Sequence, residues 1–346
     1  MIVVIIAGGS GTRLWPLSTS DYPKHLLRVN GDSNSLLQNT YERAKQVAES
    51  KDSVYVVSEA GHIKFVREQL PELTDDHFIV EPARRGTASC LAAALVRLNK
   101  AHKGDETVTF VAADHHVRDH TGFVQSFRMA ERTSVQTGRI VMVGVEPDYP
   151  STGLGYIQKG DLLSDDALIY SVHSFKEKPD YKTAQEYLKS GNYLWNCSYH
   201  VGSIDMFVNA MQAHAPELFD NFQKLSAAKD DDYEKTYLQF ENISIEYALI
   251  EKADGLMVVP ASFDWMDLGS FADLSKAVDH DEAGNHMHGW VESAEVENSF
   301  IQNHEEKPVA VIGLDNIVVI NTPNGILVAR KDLSQKVGDI SKRFQK

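Results

Sequence analysis

Gly8, Gly9 and Gly11, followed at once by Thr12 and Arg13, form the segment of this chain best suited to hold a bulky anion. Glycines let the backbone approach such a ligand closely, because no side chain stands in the way. Successive backbone N–H groups can then point at phosphate oxygens, and the Arg13 guanidinium adds a forked cationic donor. Two familiar phosphate loops do not fit. A Walker A loop closes on Gly-Lys-Ser/Thr, whereas here Thr12 is followed by Arg13. A dinucleotide fingerprint needs a third glycine, and the spacing from Gly9 and Gly11 reaches Leu14 instead. Taken alone, the loop supports either phosphate binding or a Gly-rich turn without a ligand. Lys24 adds a cation near the same loop, and Asp114 and Asp267 offer carboxylates farther along. Singly, a lysine is usually a solvated surface group and an aspartate usually caps a helix.

The balance of charge sharpens the choice. Lys and Arg number 34 and Asp and Glu 49, a net charge of −15 over 346 residues. Such an excess excludes general affinity for nucleic acid or anionic membrane, so an anionic substrate must be met by a local basic pocket. Two cysteines, Cys90 and Cys197, cannot build a disulfide framework and fit a reducing compartment. The apolar run from Ile2 to Ala7 is far shorter than the ~20 residues that span a membrane. It has no basic leader, so the chain reads as cytoplasmic.

The elements that must position these residues alternate in type. Strand-like runs at Ile2–Ile6, Val54–Val57, Phe78–Val80, Val108–Ala112 and Ile140–Val145 are separated by helical spacing at Ser35–Ala48, His62–Leu70, Thr87–Leu98 and Phe123–Thr133. This order predicts a three-layer, doubly wound α/β domain around a mostly parallel sheet. A further strand is expected at Ile169–Lys176, with helices at Tyr181–Lys189, Ile204–Ala213 and Ile245–Glu251. Lys229–Glu234 reads as an acidic, solvated loop. From Gly284 the pattern shifts to short strands at Phe300–Ile301, Val309–Ile312, Ile317–Asn321 and Ile326–Ala329, separated by turns. The expected division is a catalytic domain over 1–283 and a small all-β domain over 284–346. Edge strands in that unit make a homodimer plausible.

Leu14-Trp15-Pro16-Leu17-Ser18 and Pro23-Lys24 continue the glycine loop. The whole stretch resembles the signature of sugar-1-phosphate nucleotidyltransferases, a Gly-Gly-x-Gly-x-Arg-Leu loop followed by Pro-Lys. Its Trp15-Pro16 form is similar to the mannose-1-phosphate guanylyltransferase (GDP-mannose pyrophosphorylase) branch. The resemblance implies that Ala7, Gly8, Gly9, Gly11, Thr12 and Arg13 hold nucleotide phosphates and that Lys24 neutralises charge at the reacting phosphorus. Glu81-Pro82, Arg85 and Thr87-Ala88 match the family's base-recognition segment, and Thr87 is also suited to cap a helix. Ala112-Ala113-Asp114-His115 stands where Pro-Ala-Asp-His is usual and keeps the metal-binding aspartate. Its place at the carboxyl end of a parallel strand is where ligands bind in open α/β sheets. Phe263-Asp264-Trp265-Met266-Asp267 matches the second metal motif, with Asp267 as ligand.

Gly153, Gly155-Tyr156-Ile157, Glu177-Lys178-Pro179 and Trp195-Asn196 resemble the segments that hold the sugar and its phosphate. Glu177 and Asn196 are then sugar contacts, and Lys178 joins Arg13 and Lys24 as a phosphate-directed cation. Cys197-Ser198-Tyr199-His200 departs from the usual Ser-Gly-Met-Phe, which bears on sugar identity. Ser244-Ile245-Glu246-Tyr247-Ala248 also matches the guanylyltransferase branch. Some relatives carry a fused phosphomannose isomerase domain, and the single-function form is expected here.

The resemblance implies transfer of GMP from GTP to α-D-mannose 1-phosphate, giving GDP-mannose and pyrophosphate. The attacking sugar phosphate is already an anion and needs no strong base, so the demand falls on charge stabilisation. Mg²⁺ suits an oxygen-ligand site of few carboxylates such as Asp114 and Asp267. Competing readings are a different sugar 1-phosphate or nucleotide, or a catalytically silent sugar-nucleotide sensor. A zinc cluster of His115, His116 and His120 with Asp114 fits no common spacing. Cys197 with His200 lacks a third group to orient a base.

Overall fold

The computed structural model describes residues 1–9, 11–29, 33–164 and 168–344, so Ser10 within the glycine loop lies outside the described residues. The first half runs β1 (Ile2–Ala7), α1 (Leu36–Ala48), β2 (Val54–Glu59), α2 (Ile63–Gln69), β3 (Phe78–Glu81), α3 (Gly86–Ala101), β4 (Thr107–Ala112), α4 (His120–Thr137) and β5 (Val141–Val145). The chain continues through β6 (Gly155–Ser164), β7 (Ile169–Lys176), α5 (Tyr181–Ser190), β8 (Tyr193–Ser203), α6 (Ile204–His214), α7 (Pro216–Ala227) and α8 (Asp230–Tyr237). A π-turn over Glu246–Ile250 leads to β9 (Met257–Pro260) and α9 (Phe271–Lys276).

Strands β1 to β9 form one sheet in the order β3-β2-β1-β4-β8-β5-β9-β7-β6. The alternation of apolar residues explains its three layers. Ile2 and Val4 of β1, Val108 and Phe110 of β4, and Met142 of β5 face a core shared with α3, α6 and α7. Val3, Ile5, Val111, Val141 and Val143 face the opposite core, under α1 and α4. Both faces are covered, so β1 is apolar throughout, as a buried parallel strand must be.

Parallel pairing holds for β3-β2-β1-β4 and for β5-β9. Between these blocks β8 enters antiparallel to both β4 and β5, and the β6–β7 ribbon adds further antiparallel edges. The Lys229–Glu234 segment, expected as a loop, is helical from Asp230 onward. Tyr237 of α8 is fully buried and Tyr233 packs on the core, and that anchoring outweighs the run of acids.

The C-terminal part comprises β10 (His286–His288), β11 (Val291–Ala294), β12 (Phe300–Asn303), β13 (Val309–Ile312), β14 (Ile317–Thr322), β15 (Gly325–Arg330) and α10 (Val337–Ser341). Strands β10, β12 and β14 stack in parallel, as do β11 and β13, with Ile301, Val311 and Val319 inside. A separate core joins this part to the glycine loop and to the segment after Asp267, with Leu14, Leu268 and Phe271 packed on Phe300, Val318 and Val337. Among the described residues no helix is long and apolar enough to cross a membrane.

Candidate active site

The sheet topology brings the motif residues to one edge. β1, β3, β4 and β5 end there at Ala7, Glu81, Ala112 and Val145, and β8, running the other way, starts there with Asn196 opposite Gly144. Gly155 at the start of β6 also pairs with Asn196. This is the carboxyl edge at which open α/β sheets bind ligands.

Lys24 is the centre of the first group. It is 5% exposed, and its Nζ lies 2.8 Å from Asp114 Oδ2 and 3.5 Å from Asp267 Oδ1, while donating also to the Asp267 carbonyl. The two aspartates come from loops far apart in the chain. A two-way backbone bridge between His116 and Met266 (2.9 and 3.0 Å) fastens those loops together. Burial alone would push the Asp114 carboxyl up, yet the Lys24 ammonium overrides it and holds the group at about 2. Burial likewise opposes the charge on Lys24, and Asp114 and Asp267 reverse that and raise its pKa. Lys24 and Asp114 are therefore both ionised at neutral pH.

The glycine loop wraps this centre. Gly11 has φ 58°, and a β-carbon there would lie 2.6 Å from the Lys24 backbone nitrogen, so only glycine admits Lys24 so close. Thr12–Leu14 forms a single 3₁₀ turn carrying Arg13. Gly9, Gly11, Thr12, Arg13, Lys24, Asp114 and Gly269 line a cavity of about 290 Å³, together with Arg84. Ala7 is buried at the end of β1 and contributes backbone only.

The segment assigned to base recognition differs from expectation at Arg84, Arg85, Thr87 and Glu81. Arg85 points away: its guanidinium donates to the Leu238 carbonyl at 2.9 and 3.2 Å. Arg84, absent from the sequence-based site, is the arginine that reaches the cavity, and it pairs with Glu59 at 3.2 Å. The adjacent Arg84-Arg85 pair is the available signal, since neighbours on an irregular segment face different ways. Thr87 does not cap α3. Its Oγ1 accepts from the Ile245 N–H at 2.8 Å, and Arg85 occupies the cap position without a side-chain bond to the helix N–H groups. Glu81 is turned into the core, where Tyr237 donates to it; burial pushes its carboxyl up to about 7.

The sugar-side residues form a second group. A β-carbon on Gly155 would meet Glu177 Oε2 at 2.5 Å, so that glycine is what lets Glu177 sit beside it. Glu177 is buried and pairs with Lys178 Nζ at 2.9 Å, while its N–H donates to Glu251 at 2.9 Å. Burial pushes the Glu177 carboxyl up against the pull of Lys178. Lys178 is half exposed and has φ 45°. Asn196 is buried and bonds to Glu246 at 3.4 Å. Gly153 is exposed in the preceding loop. The Tyr156 side chain is fully buried and its hydroxyl donates to the Ser151 carbonyl at 3.0 Å, which leaves only its backbone for a ligand.

The donor set fits a hard divalent cation. Two carboxylates converge on one point, which Lys24 Nζ touches, and a cation such as Mg²⁺ completes so small a set with phosphate and water oxygens. Among the described residues no group of three or more His, Cys, Asp or Glu side chains is arranged around a metal position. His115 is buried and engaged with the Tyr199 hydroxyl at 2.9 Å. Cys197 and Cys90 are buried, and burial pushes both thiols up, away from the thiolate form that nucleophilic catalysis needs.

Comparison with known proteins adds a family to this geometry. Residues 2–284 match the family model described as nucleotidyl transferase, and residues 291–344 match one described as the MannoseP isomerase/GMP-like β-helix domain. The chain is 34% identical to mannose-1-phosphate guanylyltransferase RfbM of Salmonella typhimurium, over 97% of this chain and 71% of that one. It is 33% identical to a mannose-1-phosphate guanylyltransferase of Escherichia coli K12, over 99% and 73%. A solved structure described as mannose-1-phosphate geranyltransferase from Thermus thermophilus superposes with a TM-score of 0.89 at 26% identity, covering 100% of this chain and 99% of that one.

Proposed function

The chain belongs to the nucleotidyl transferase family, among its mannose-1-phosphate guanylyltransferases, and from that premise we propose how its residues make GDP-mannose and pyrophosphate from GTP and mannose 1-phosphate. The observation that carries the reading is Lys24 held between Asp114 and Asp267 against the glycine loop. Backbone N–H groups of Gly8, Gly9, Gly11 and Thr12 and the Arg13 guanidinium bind the GTP phosphates, and Arg84 adds a second guanidinium on the cavity wall. Lys24 fixes both carboxylates and presents its ammonium to the α-phosphorus. Glu177 and Asn196 bind sugar hydroxyls, and Lys178 binds the sugar phosphate. When bound at Asp114 and Asp267, Mg²⁺ supplies charge neutralisation across the phosphates.

The sugar phosphate oxygen attacks the α-phosphorus as the bond to pyrophosphate breaks, and no side chain takes a proton. Residues 1–283 act as the catalytic domain and 284–346 as the β domain, a division supported by family matches that end at residue 284 and resume at 291. Exposed Ile326 and Val328 on β15 support self-association of the β domain, which sedimentation tests. Two buried, unpaired cysteines support a cytoplasmic setting. GTP made chiral at its α-phosphorus tests the mechanism. Single displacement gives inversion in GDP-mannose; retention, or a trapped nucleotidylated residue, overturns it.

A further inference from the structure

Ser198 sits in the middle of β8 with φ 57°, a left-handed conformation that glycine adopts freely and other residues adopt at a cost of about 1 kcal/mol or more. What holds it there is a pair of hydrogen bonds. Its N–H donates to Asn196 Oδ1 at 3.0 Å, and its hydroxyl donates to Glu246 Oε1 at 2.5 Å. The same Glu246 oxygen accepts from Asn196 Nδ2 at 3.4 Å.

Glu246 is buried, and it opens the π-turn over Glu246–Ile250. π-Turns are rare, and they recur at functional sites. This one is tied to the nucleotide side, because Ile245 N–H donates to Thr87 and Gly86 packs flat on the Ile243 backbone. Toward the sugar side, the charge of Glu246 acts on both Glu177 and Lys178. Glu246 thus joins Asn196, Glu177 and Lys178 as one wall, and Ser198 occupies one of its two carboxylate oxygens.

We propose that Glu246 is a sugar-hydroxyl acceptor of the transfer site, and that Ser198 sets its selectivity among hexose 1-phosphates by claiming one of its oxygens. This rests on the assignment of Glu177 and Asn196 to the sugar. Epimeric hexoses differ in the direction of one hydroxyl, and a buried acceptor rejects the epimer that leaves a polar group unpaired. With Oε1 engaged by Ser198, Glu246 accepts hydroxyls from fewer directions. Removing the serine hydroxyl leaves that oxygen only its long 3.4 Å bond from Asn196, so it can accept a further hydroxyl and admits the wrong epimer. Ser198 acts through Glu246 and is a positioning residue.

The test compares wild type, Ser198→Ala and Ser198→Gly with GTP and either mannose 1-phosphate or glucose 1-phosphate, reading kcat/KM from pyrophosphate release. The mannose-to-glucose ratio should fall at least about tenfold in both variants, mainly through a lower KM for glucose 1-phosphate. Ser198→Gly should also melt at or above the wild-type temperature, because its backbone strain is relieved. A loss of packing alone would slow both sugars together. A ratio within about twofold of wild type in the folded variants overturns the proposal, since tenfold corresponds to only ~1.4 kcal/mol. A wild type that turns over neither sugar removes the transfer reading itself, and this inference with it.

Discussion

Gly338 lies flat against Arg13: a β-carbon on Gly338 would approach Arg13 Cγ to 3.0 Å. The contact crosses from α10 near the end of the chain to the 3₁₀ turn over Thr12–Leu14. It is one of several. Trp15 stacks on Phe344 with ring centroids 4.9 Å apart, and a β-carbon on Gly325 would meet the Trp15 ring at 2.6 Å. Thr322 and Asn324 both donate to the Pro16 carbonyl at 3.3 Å. The C-terminal β domain therefore braces the glycine loop, the proposed nucleotide-binding segment.

Gly338→Leu should push Arg13 off its position while leaving the sheet untouched. The KM for GTP should rise about tenfold or more, because displacements near 1 Å at a binding group carry effects of that size. Initial rates against GTP concentration check this, with circular dichroism confirming the fold. An unchanged KM in a folded variant removes the brace from the account.

Arg84 and Arg85 should separate cleanly. Arg84 lines the cavity beside the glycine loop, whereas Arg85 bonds to the Leu238 carbonyl. Arg84→Ala should weaken GTP by roughly tenfold, the order expected for a lost charge-assisted hydrogen bond. Arg85→Ala should leave the KM for GTP near wild type and instead lower stability by about 1 kcal/mol. Isothermal titration with GTP and thermal melts of both variants decide it, and the reverse pattern would contradict the geometry.

Glu81 gives the fold a pH dependence of known sign. Burial raises its folded pKa from 4.5 to about 7, so the folded chain binds the proton more tightly than the unfolded one. Its contribution is fully present below pH 4.5 and is lost as pH rises through about 7. The loss is bounded at roughly 3 kcal/mol by the size of that shift. Urea unfolding of Glu81→Gln from about pH 4.5 to about pH 8 should show a flatter stability profile than wild type. Parallel profiles would mean that Glu81 is not the group responsible.

The sequence carries more of the site than of the sheet. The strand at β1 and the glycine loop are legible because each depends on local residue type and spacing, whereas Lys24 and the two aspartates stand out only through the resemblance to sugar-1-phosphate nucleotidyltransferases. Their convergence is not legible, since it rests on the His116–Met266 bridge between distant loops. β8 escapes a reading by pattern because it is buried on nearly all positions and shows no alternation; only long-range pairing with β4 and β5 defines it. Ser198 is visible as a departure from related chains, yet its left-handed φ and its bond to Glu246 exist only in the folded backbone. Arg84 is hidden behind Arg85 for a similar reason, because the direction of a loop side chain is set by what lies across from it.

The central claim is that Asp114, Lys24 and Asp267 form the transfer centre. Pyrophosphate release from GTP and mannose 1-phosphate, followed for wild type and Asp267→Asn with Mg²⁺ and after chelation, tests it most directly. The account predicts Mg²⁺-dependent turnover in the wild type, and loss of at least about a hundredfold in a variant that stays folded. Near-normal turnover by Asp267→Asn, or wild-type turnover that survives chelation, would contradict it.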